Sequence, residues 1–271
     1  MAETAAAGAE PVLLRKDRNG VARLTLNRPA QRNSLSEDLM RALTDEIHAI
    51  ADDATVRAIV LAGNGPGFCA GHDLKELTAA RQQEDRGRAY YQKIMKLCAG
   101  MMTAIMRSPK PVIARVHGIA TAAGCQLVAS CDLAIATDEA RFATPGVNIG
   151  LFCSTPMVAL SRNVSRKHAM EMLLTGDMID AARAAEMGLI NKAVPPAQLD
   201  AAVGALAAQI ADKSTLTVSI GKEAFYNQLE MGIDDAYAYA SEVMVKNMLA
   251  RDAEEGINAF IEKREPAWED R

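Results

Sequence analysis

Two stretches of this 271-residue chain combine small residues with the start of a helix signal. They are "GFCAGHDLKEL", Gly67 to Leu77, and "VHGIATAAGCQLVASCDLAIA", Val116 to Ala136. A helix N-terminus leaves backbone N–H groups without partners and carries partial positive charge. Two such N–H groups aimed at one oxygen would stabilise a thioester enolate or a tetrahedral oxyanion. Taken alone, either stretch reads first as a structural turn. A catalytic helix that opens on such a turn is expected to carry an acid or base within its first turn. Position 126 carries Gln instead, which can hold a water but exchanges no proton near neutral pH.

Few other residues offer themselves. His72 has the pKa class for proton transfer, although it can equally serve to orient its loop. Cys153 has no evident base beside it and reads as a small pocket-lining residue. Asp132, after Cys131, reads as a helix-end or structural carboxylate. Asp73 and Glu76 fall on a charged, solvated helix start, where Asp73 suits the N-terminal turn. His48, His117 and His168 are isolated, with no ligand spacing, so no metal is expected. The Met-rich "KIMKLCAGMMTAIM" reads as core or pocket wall.

The elements that must position these residues alternate. "VARLTLN", Val21 to Asn27, has strand periodicity. Pro29 ends it, and Ser34 with Glu37 fits a capping box. Leu35, Leu39, Leu43, Ile47 and Ile50 then mark one helix face. "VRAIVLAG", "KPVIARVHG" and "DLAIAT" read as strands. "DLKELTAARQQEDRGRAYYQ" reads as helix running on through Met106. Strands and helices alternate to about residue 195, a parallel α/β pattern. Beyond it the spacing predicts helices around Leu199–Ile210, Tyr237–Leu249 and Asp252–Lys263, the last opening on an Asp252/Glu255 box. The expected organisation is a flexible tail over 1–10, an α/β core over 11–195 and a helical region over 196–271.

Composition narrows the partners. A net charge of −4 and an aromatic content of 4% argue against nucleic acid as the main partner, while leaving room for a local basic patch. No apolar run approaches the ~18 residues of a membrane span. The small, acidic N-terminus reads as a tail rather than a signal peptide. Five scattered cysteines, an odd number, fit free thiols in a reducing compartment, and a cytoplasmic location is expected.

In their order along the chain, "LTLNRPAQRNSLS", the two small-residue stretches, "FATPGVNIGLF", "LLTGDMIDAARAAEMGLINKAV" and "EGINAFIEKR" resemble the enoyl-CoA hydratase/isomerase (crotonase) superfamily. The resemblance covers nearly the whole chain. It implies a crotonase-like spiral of ββα turns with a helical C-terminal oligomerisation region, assembled as a homotrimer or homohexamer. It implies an acyl-CoA thioester as small-molecule ligand. Coenzyme A then arrives as part of the substrate, and no cofactor is permanently bound.

Carried over residue by residue, the resemblance places the oxyanion hole at the backbone N–H groups of His72 and Ala123. Family members usually have Gly where Ala123 stands, and the extra methyl makes a positive φ costly there. Pantetheine and adenine contacts fall around Ala30, Arg32, Ala70, Asp73 and Leu74. Further substrate contacts fall at Ile119, Thr121, Ala122 and Cys153. Phe260 and Lys263 match positions that reach a CoA bound to a neighbouring subunit, though a solvated helix face serves Lys263 as well. Hydratases of the family use two glutamates on the added water. Those positions are Gln126 and Gly146 here, so both acids are missing, and ordinary hydration is not supported by the residues. Restoring both, Gln126→Glu with Gly146→Glu, is expected to introduce hydratase activity. Two alternatives stand beside a weak hydratase. The "AGHD" loop resembles acyl-CoA decarboxylases of the superfamily, which have a tyrosine where Cys153 stands. A non-catalytic acyl-CoA binding or regulatory protein is the other.

Overall fold

The computed structural model describes residues 10–271; the tail expected over 1–10 lies, apart from Glu10, outside the described residues. β1 (Leu13–Arg18) and β2 (Val21–Leu26) form an antiparallel hairpin. Its turn, Asn19-Gly20, has both residues at positive φ, 51° and 74°, the two-residue geometry that matches strand twist. Next come α1 (Glu37–Ala51), β3 (Ala58–Gly63), β4 (Gly67–Cys69), α2 (Leu74–Ala80) and α3 (Arg88–Arg107). β5 (Val112–Val116), β6 (Ile119–Thr121) and α4 (Ala123–Ser130) follow, then β7 (Leu133–Thr137), β8 (Arg141–Ala143), a short 3-10 turn (Pro145–Ile149), α5 (Ser154–Asn163) and α6 (Arg166–Thr175). β9 (Ile179–Asp180), α7 (Ala181–Met187) and β10 (Lys192–Val194) close the mixed part, and α8 (Leu199–Ala211), α9 (Thr215–Gln228), α10 (Ile233–Met248) and α11 (Arg251–Glu262) complete the chain.

The strands form two sheets, six-stranded in the order β1-β2-β3-β5-β7-β10 and four-stranded in the order β4-β6-β8-β9. Successive pairs β3–β4, β5–β6 and β7–β8 each give one strand to either sheet before the chain turns into helix, which is the spiral of ββα turns. Pairing is parallel except at β1–β2 and β8–β9. β3 reads as an unbroken apolar run because both its faces are covered. Ile59 and Leu61 join Leu24, Leu39, Leu43 and Ile47 in the main core. Val60 points the other way, with Ile113 and Ile135, under Leu199, Val203 and Ala207 of α8.

Several local expectations shift. The cap of α1 is Ser36, whose hydroxyl accepts from the Leu39 N–H at 3.2 Å, rather than Ser34. The charged run after α2 is no continuous helix: it breaks, and Gly87 in left-handed geometry (φ 84°) starts α3. The short polar strands β1, β9 and β10 gave no apolar alternation to read. α9 was not expected either, having no buried face of its own. The Asp252/Glu255 pair is not a cap. Asp252 accepts from the Glu269 and Asp270 N–H groups, and Glu255 from Arg264 and the Ala267 N–H. They tie the last residues of the chain back onto α11.

One buried ion pair docks α9 on the core. Lys222 Nζ donates to Asp132 at 2.7 Å and to the Ile105 and Lys110 carbonyls at 3.0 and 3.1 Å. Asp132 also accepts from Tyr226 at 2.9 Å and from the Val112 N–H at 2.7 Å. Asp132 thus has a structural role, as read from its place at a helix-to-strand junction. Its Lys222 partner is 7% exposed. Removing the ammonium strands a buried carboxylate, which costs about 3–5 kcal/mol. Lys222→Ala is therefore expected to lower the free energy of unfolding measured by chemical denaturation by about 3–5 kcal/mol, and an unchanged free energy would show that the pair does not dock the helix.

Candidate functional site

The two small-residue stretches come together because the sequence leaves no side chains between them. Gly71 has φ 95°, and a Cβ there would lie 2.9 Å from Ala122 Cβ and 3.4 Å from the Ala123 nitrogen. Gly124, in the first turn of α4, would place a Cβ 2.1 Å from the Cys69 carbonyl oxygen. Only glycine permits either approach. Thr121 Oγ1 donates to the Ala70 carbonyl at 3.2 Å, and the Ala122 N–H donates to Ala143 of β8 at 2.9 Å. The loop after β4 and the start of α4 are thereby fixed side by side.

Each segment presents a free donor. A parallel bridge joins Leu35 to His72 through Leu35 N–H to Gly71 O at 2.7 Å and Asp73 N–H to Leu35 O at 3.1 Å. That pattern turns the His72 N–H away from Leu35. Ala123 is the first residue of α4, so its N–H has no intrahelical acceptor. The backbone strain expected at Ala123 sits one residue earlier. Ala122 is at φ 51°, ψ −119°, where L-residues rarely go, and Ala123 itself is helical.

Around these donors the site is polar but uncharged. Gln126 is 5% exposed, and its Oε1 is buried with no hydrogen-bond partner. Both ring nitrogens of His72 are buried and unpartnered as well, and burial pushes its pKa below the ordinary histidine value, so the ring is neutral at pH 7. Cys153 is buried, and desolvation raises its thiol pKa despite an N–H from Gly146; it is a thiol, not a nucleophilic thiolate. Cys125, in the first turn of α4, is likewise pushed up to about 12 by burial.

Gly146 departs most from expectation. A Cβ there would lie 2.5 Å from the Leu151 carbonyl oxygen and 2.9 Å from Cys153 Sγ. Main chain occupies the space a glutamate would need, so the double change Gln126→Glu, Gly146→Glu does not fit this pocket as drawn from sequence.

The turn before α1 holds the first loop. Arg28 Nη2 donates to Asp73 at 2.8 Å. Asn33, fully buried, donates to the Asn64 and Gly67 carbonyls at 2.8 and 2.9 Å, and its Oδ1 accepts from the Arg28 N–H. Sequence reasoning missed both residues; the only trace was two polar residues flanking a proline turn. Asp73 is 7% exposed rather than solvated, and caps α2 through the Lys75 N–H. Burial raises its pKa, but Arg28 and the Lys75 N–H outweigh that and hold it below the usual carboxylate value. Ala70 donates to the Arg32 carbonyl at 3.0 Å, which brings Ala30 and Arg32, both exposed, beside the loop that carries exposed Leu74. Ile119, Thr121 and Ala122 belong to β6 and its exit into α4. Phe260 and Lys263 are not brought to the site: α11 packs on α9 and α10, and Phe260 is 86% exposed. Among the described residues no cluster of His, Cys, Asp or Glu could hold a metal.

Comparison with known proteins bears on the family and the fold. A family model described as enoyl-CoA hydratase/isomerase matches residues 16–271. Enoyl-CoA hydratase domain-containing protein 3, mitochondrial, from Homo sapiens is 47% identical, with 92% of this chain and 81% of that one covered. The Xenopus laevis protein of the same name is also 47% identical, over 95% and 86%. Among solved structures, an enoyl-CoA hydratase from Mycobacterium smegmatis has a TM-score of 0.91 at 53% identity, covering 96% and 99%. Human domain-containing protein 3 has a TM-score of 0.90 at 46% identity, covering 95% and 100%. The crotonase-like fold expected from the motifs is therefore established. The cytoplasmic location is overturned: relatives from frog, rat, mouse and human are named mitochondrial, and free thiols do not distinguish one reducing compartment from another.

Two substitutions separate strain from close packing. Ala122→Gly relieves the positive φ and is expected to raise stability by about 1 kcal/mol. Gly146→Ala forces a methyl onto the Leu151 carbonyl and is expected to cost about 1–3 kcal/mol. Thermal denaturation of the two variants should move in opposite directions, and movement in the same direction would contradict this packing.

Proposed function

The chain belongs to the enoyl-CoA hydratase/isomerase family, and from that premise we propose that it binds acyl-CoA thioesters and stabilises their enolates. The thioester oxygen accepts from the His72 and Ala123 N–H groups. As negative charge develops on that oxygen, two fixed donors in a water-poor pocket stabilise it more than they stabilise the neutral ester. The carbon skeleton lies toward Gln126 and Cys153. The backbone of Ala30, Arg32, Ala70, Asp73 and Leu74 borders the path of the pantetheine and adenine. Exposed Phe260 and Lys263 serve a CoA on a neighbouring subunit of a homotrimer or homohexamer. The relatives' names support a mitochondrial setting.

The observation that supports the reading is the pair of replacements at the positions where family hydratases carry their two glutamates. Gln126 keeps a hydrogen-bonding oxygen without an exchangeable proton, and the Leu151 carbonyl fills the place beside Gly146. Each absent acid–base group removes about 10²–10⁴ of rate, so hydration of an enoyl ester is at most a weak activity. Enolate stabilisation needs neither group.

A second reading rests on His72, whose neutral ring is buried with both nitrogens unpartnered. In a malonyl-type thioester the bond to the free carboxylate breaks, its electron pair forms the enolate held by the two N–H groups, CO₂ leaves, and water returns a proton to carbon. A ring N–H of His72 would hold the departing carboxylate.

Titration with a saturated acyl-CoA, alongside CO₂ release from a malonyl-type CoA ester, tests both readings. Binding in the micromolar to millimolar range typical of enzyme substrates, ~1 μM–1 mM, is expected from the first. Release that disappears in His72→Ala while acyl-CoA binding persists is expected from the second. Tight binding without turnover of either ester would identify a non-catalytic acyl-CoA binder. Failure to bind any CoA ester would overturn the proposal.

A further inference from the structure

The outer face of the six-stranded sheet is covered unevenly. α8 lies over β3, β5 and β7 and reaches β2 with only its edge. The β1–β2 flank stays open as a cleft of ≈ 370 Å³, within the ~300–1,000 Å³ range of small-molecule sites. It lies on the far side of the sheet from the core that supports α4.

Register and helical spacing explain its shape. Lys16 pairs with Arg23 and Arg18 with Val21 across the hairpin, and Arg23 pairs with Val60, so these side chains share one face. On α8, Leu199, Val203 and Ala207 form the buried seam, while Asp200, Gly204 and Ala208 form the adjacent i, i+4, i+8 row toward β1. That row begins with a carboxylate and then loses its side chains. Arg57 donates to the Lys213 carbonyl at 3.0 Å, which places the C-terminal end of α8 near the hairpin turn. The floor of the cleft is therefore Val21, Val60 and Val203, one wall is Gly204 and Ala208, and the other is the cationic edge of β1.

Charge within it is one-sided. Asp200 is already neutralised by Arg23 at 3.1 Å and by Arg115 at 2.7 Å. Lys16 and Arg18 are exposed and form no ion pair among the described residues. A Cβ built on Gly204 meets nothing within 4 Å, so the empty wall is a property of that residue and not of close packing. An apolar trough with two uncompensated cations on one lip is complementary to a molecule with an aliphatic chain and a single anionic head.

We propose that this trough binds an amphiphilic carboxylate, a fatty-acid anion, with its chain over Val21 and against Gly204 and Ala208 and its head between Lys16 and Arg18. The site is separate from the pocket beside Gln126 and holds whether or not the chain turns over acyl-CoA esters.

The probe is decanoate, titrated by calorimetry into the full chain with a saturating acyl-CoA present, so that the pocket beside Gln126 is occupied. One site is expected. A Cβ on Gly204 meets nothing within 4 Å, so Gly204→Leu extends a side chain into the trough over Val21, and leucine in place of glycine favours the helix by up to about 1 kcal/mol; the variant should fold and lose binding. Arg18→Ala and Lys16→Ala should each weaken binding by about tenfold, the loss expected for one charge-assisted hydrogen bond. Decanol should bind at least as weakly as decanoate binds those variants, and acetate should not compete. Absence of decanoate binding, unchanged binding in Gly204→Leu, or displacement by acetate at equal concentration would each overturn the proposal.

Discussion

The site depends on one close approach of two backbones. The Cys69 carbonyl of β4 lies where a side chain on Gly124 would be, and the Thr121–Ala123 backbone lies where one on Gly71 would be. Parallel pairing of β4 with β6, and of β6 with β8, holds both chains at sheet distance before they diverge into α2 and α4. Everything chemical follows from that contact. It brings the first loop against the start of α4, holds Ala122 in a strained conformation, and leaves the first turn of α4 buried, with Gln126 out of water. Larger side chains at 71 or 124 would separate the donors before changing anything else.

The molecule keeps its ion pairs outside this pocket. Arg28–Asp73 braces the entrance and Lys222–Asp132 docks a helix, each in a supporting position. Inside stand an amide, a neutral imidazole and a protonated thiol. In the proposed function these fixed dipoles would meet charge developing on a substrate oxygen with no competing ion beside them. The pocket is poorly equipped to move protons. The same neutrality explains why the Leu151 carbonyl can sit beside Gly146: a carboxylate there would face a carbonyl oxygen with no donor to offset it.

Much of this was legible in the sequence, for specific reasons. The parallel α/β alternation showed because β3, β5 and β7 are covered on both faces and so read as apolar runs between helices; the spiral itself came from the resemblance of the ordered motifs. The two small-residue turns showed because glycine and alanine stand ahead of a helix, while their reading as a donor pair came from the resemblance of the ordered motifs. What did not show depended on three-dimensional contact. Arg28 and Asn33 act on carbonyls and carboxylates far along the chain, and nothing in "NRPAQRN" marks the partners. Asp73 looked solvated because its neighbours are charged, yet Arg28 buries it. Asp252 and Glu255 have the spacing of a capping box but serve the chain end instead. α9 has no buried stripe, so its periodicity is silent; Lys222 and Tyr226, bonded to Asp132 and to two main-chain carbonyls, do the docking. The strain at Ala122 moved by one residue because the helix starts at Ala123, a boundary sequence cannot fix to one position.

The claim on which the account rests is that a working pair of backbone donors persists here without the acid–base pair of a hydratase. The most direct measurement is the rate at which the purified protein consumes crotonyl-CoA, followed by loss of the conjugated enoyl absorbance. The account predicts a rate far below the ~1–10³ s⁻¹ of ordinary enzymes, from protein that still binds a saturated acyl-CoA. Turnover within that range would contradict it, and would require a proton-transfer group at Gln126 or beside Gly146 that the structure does not place there.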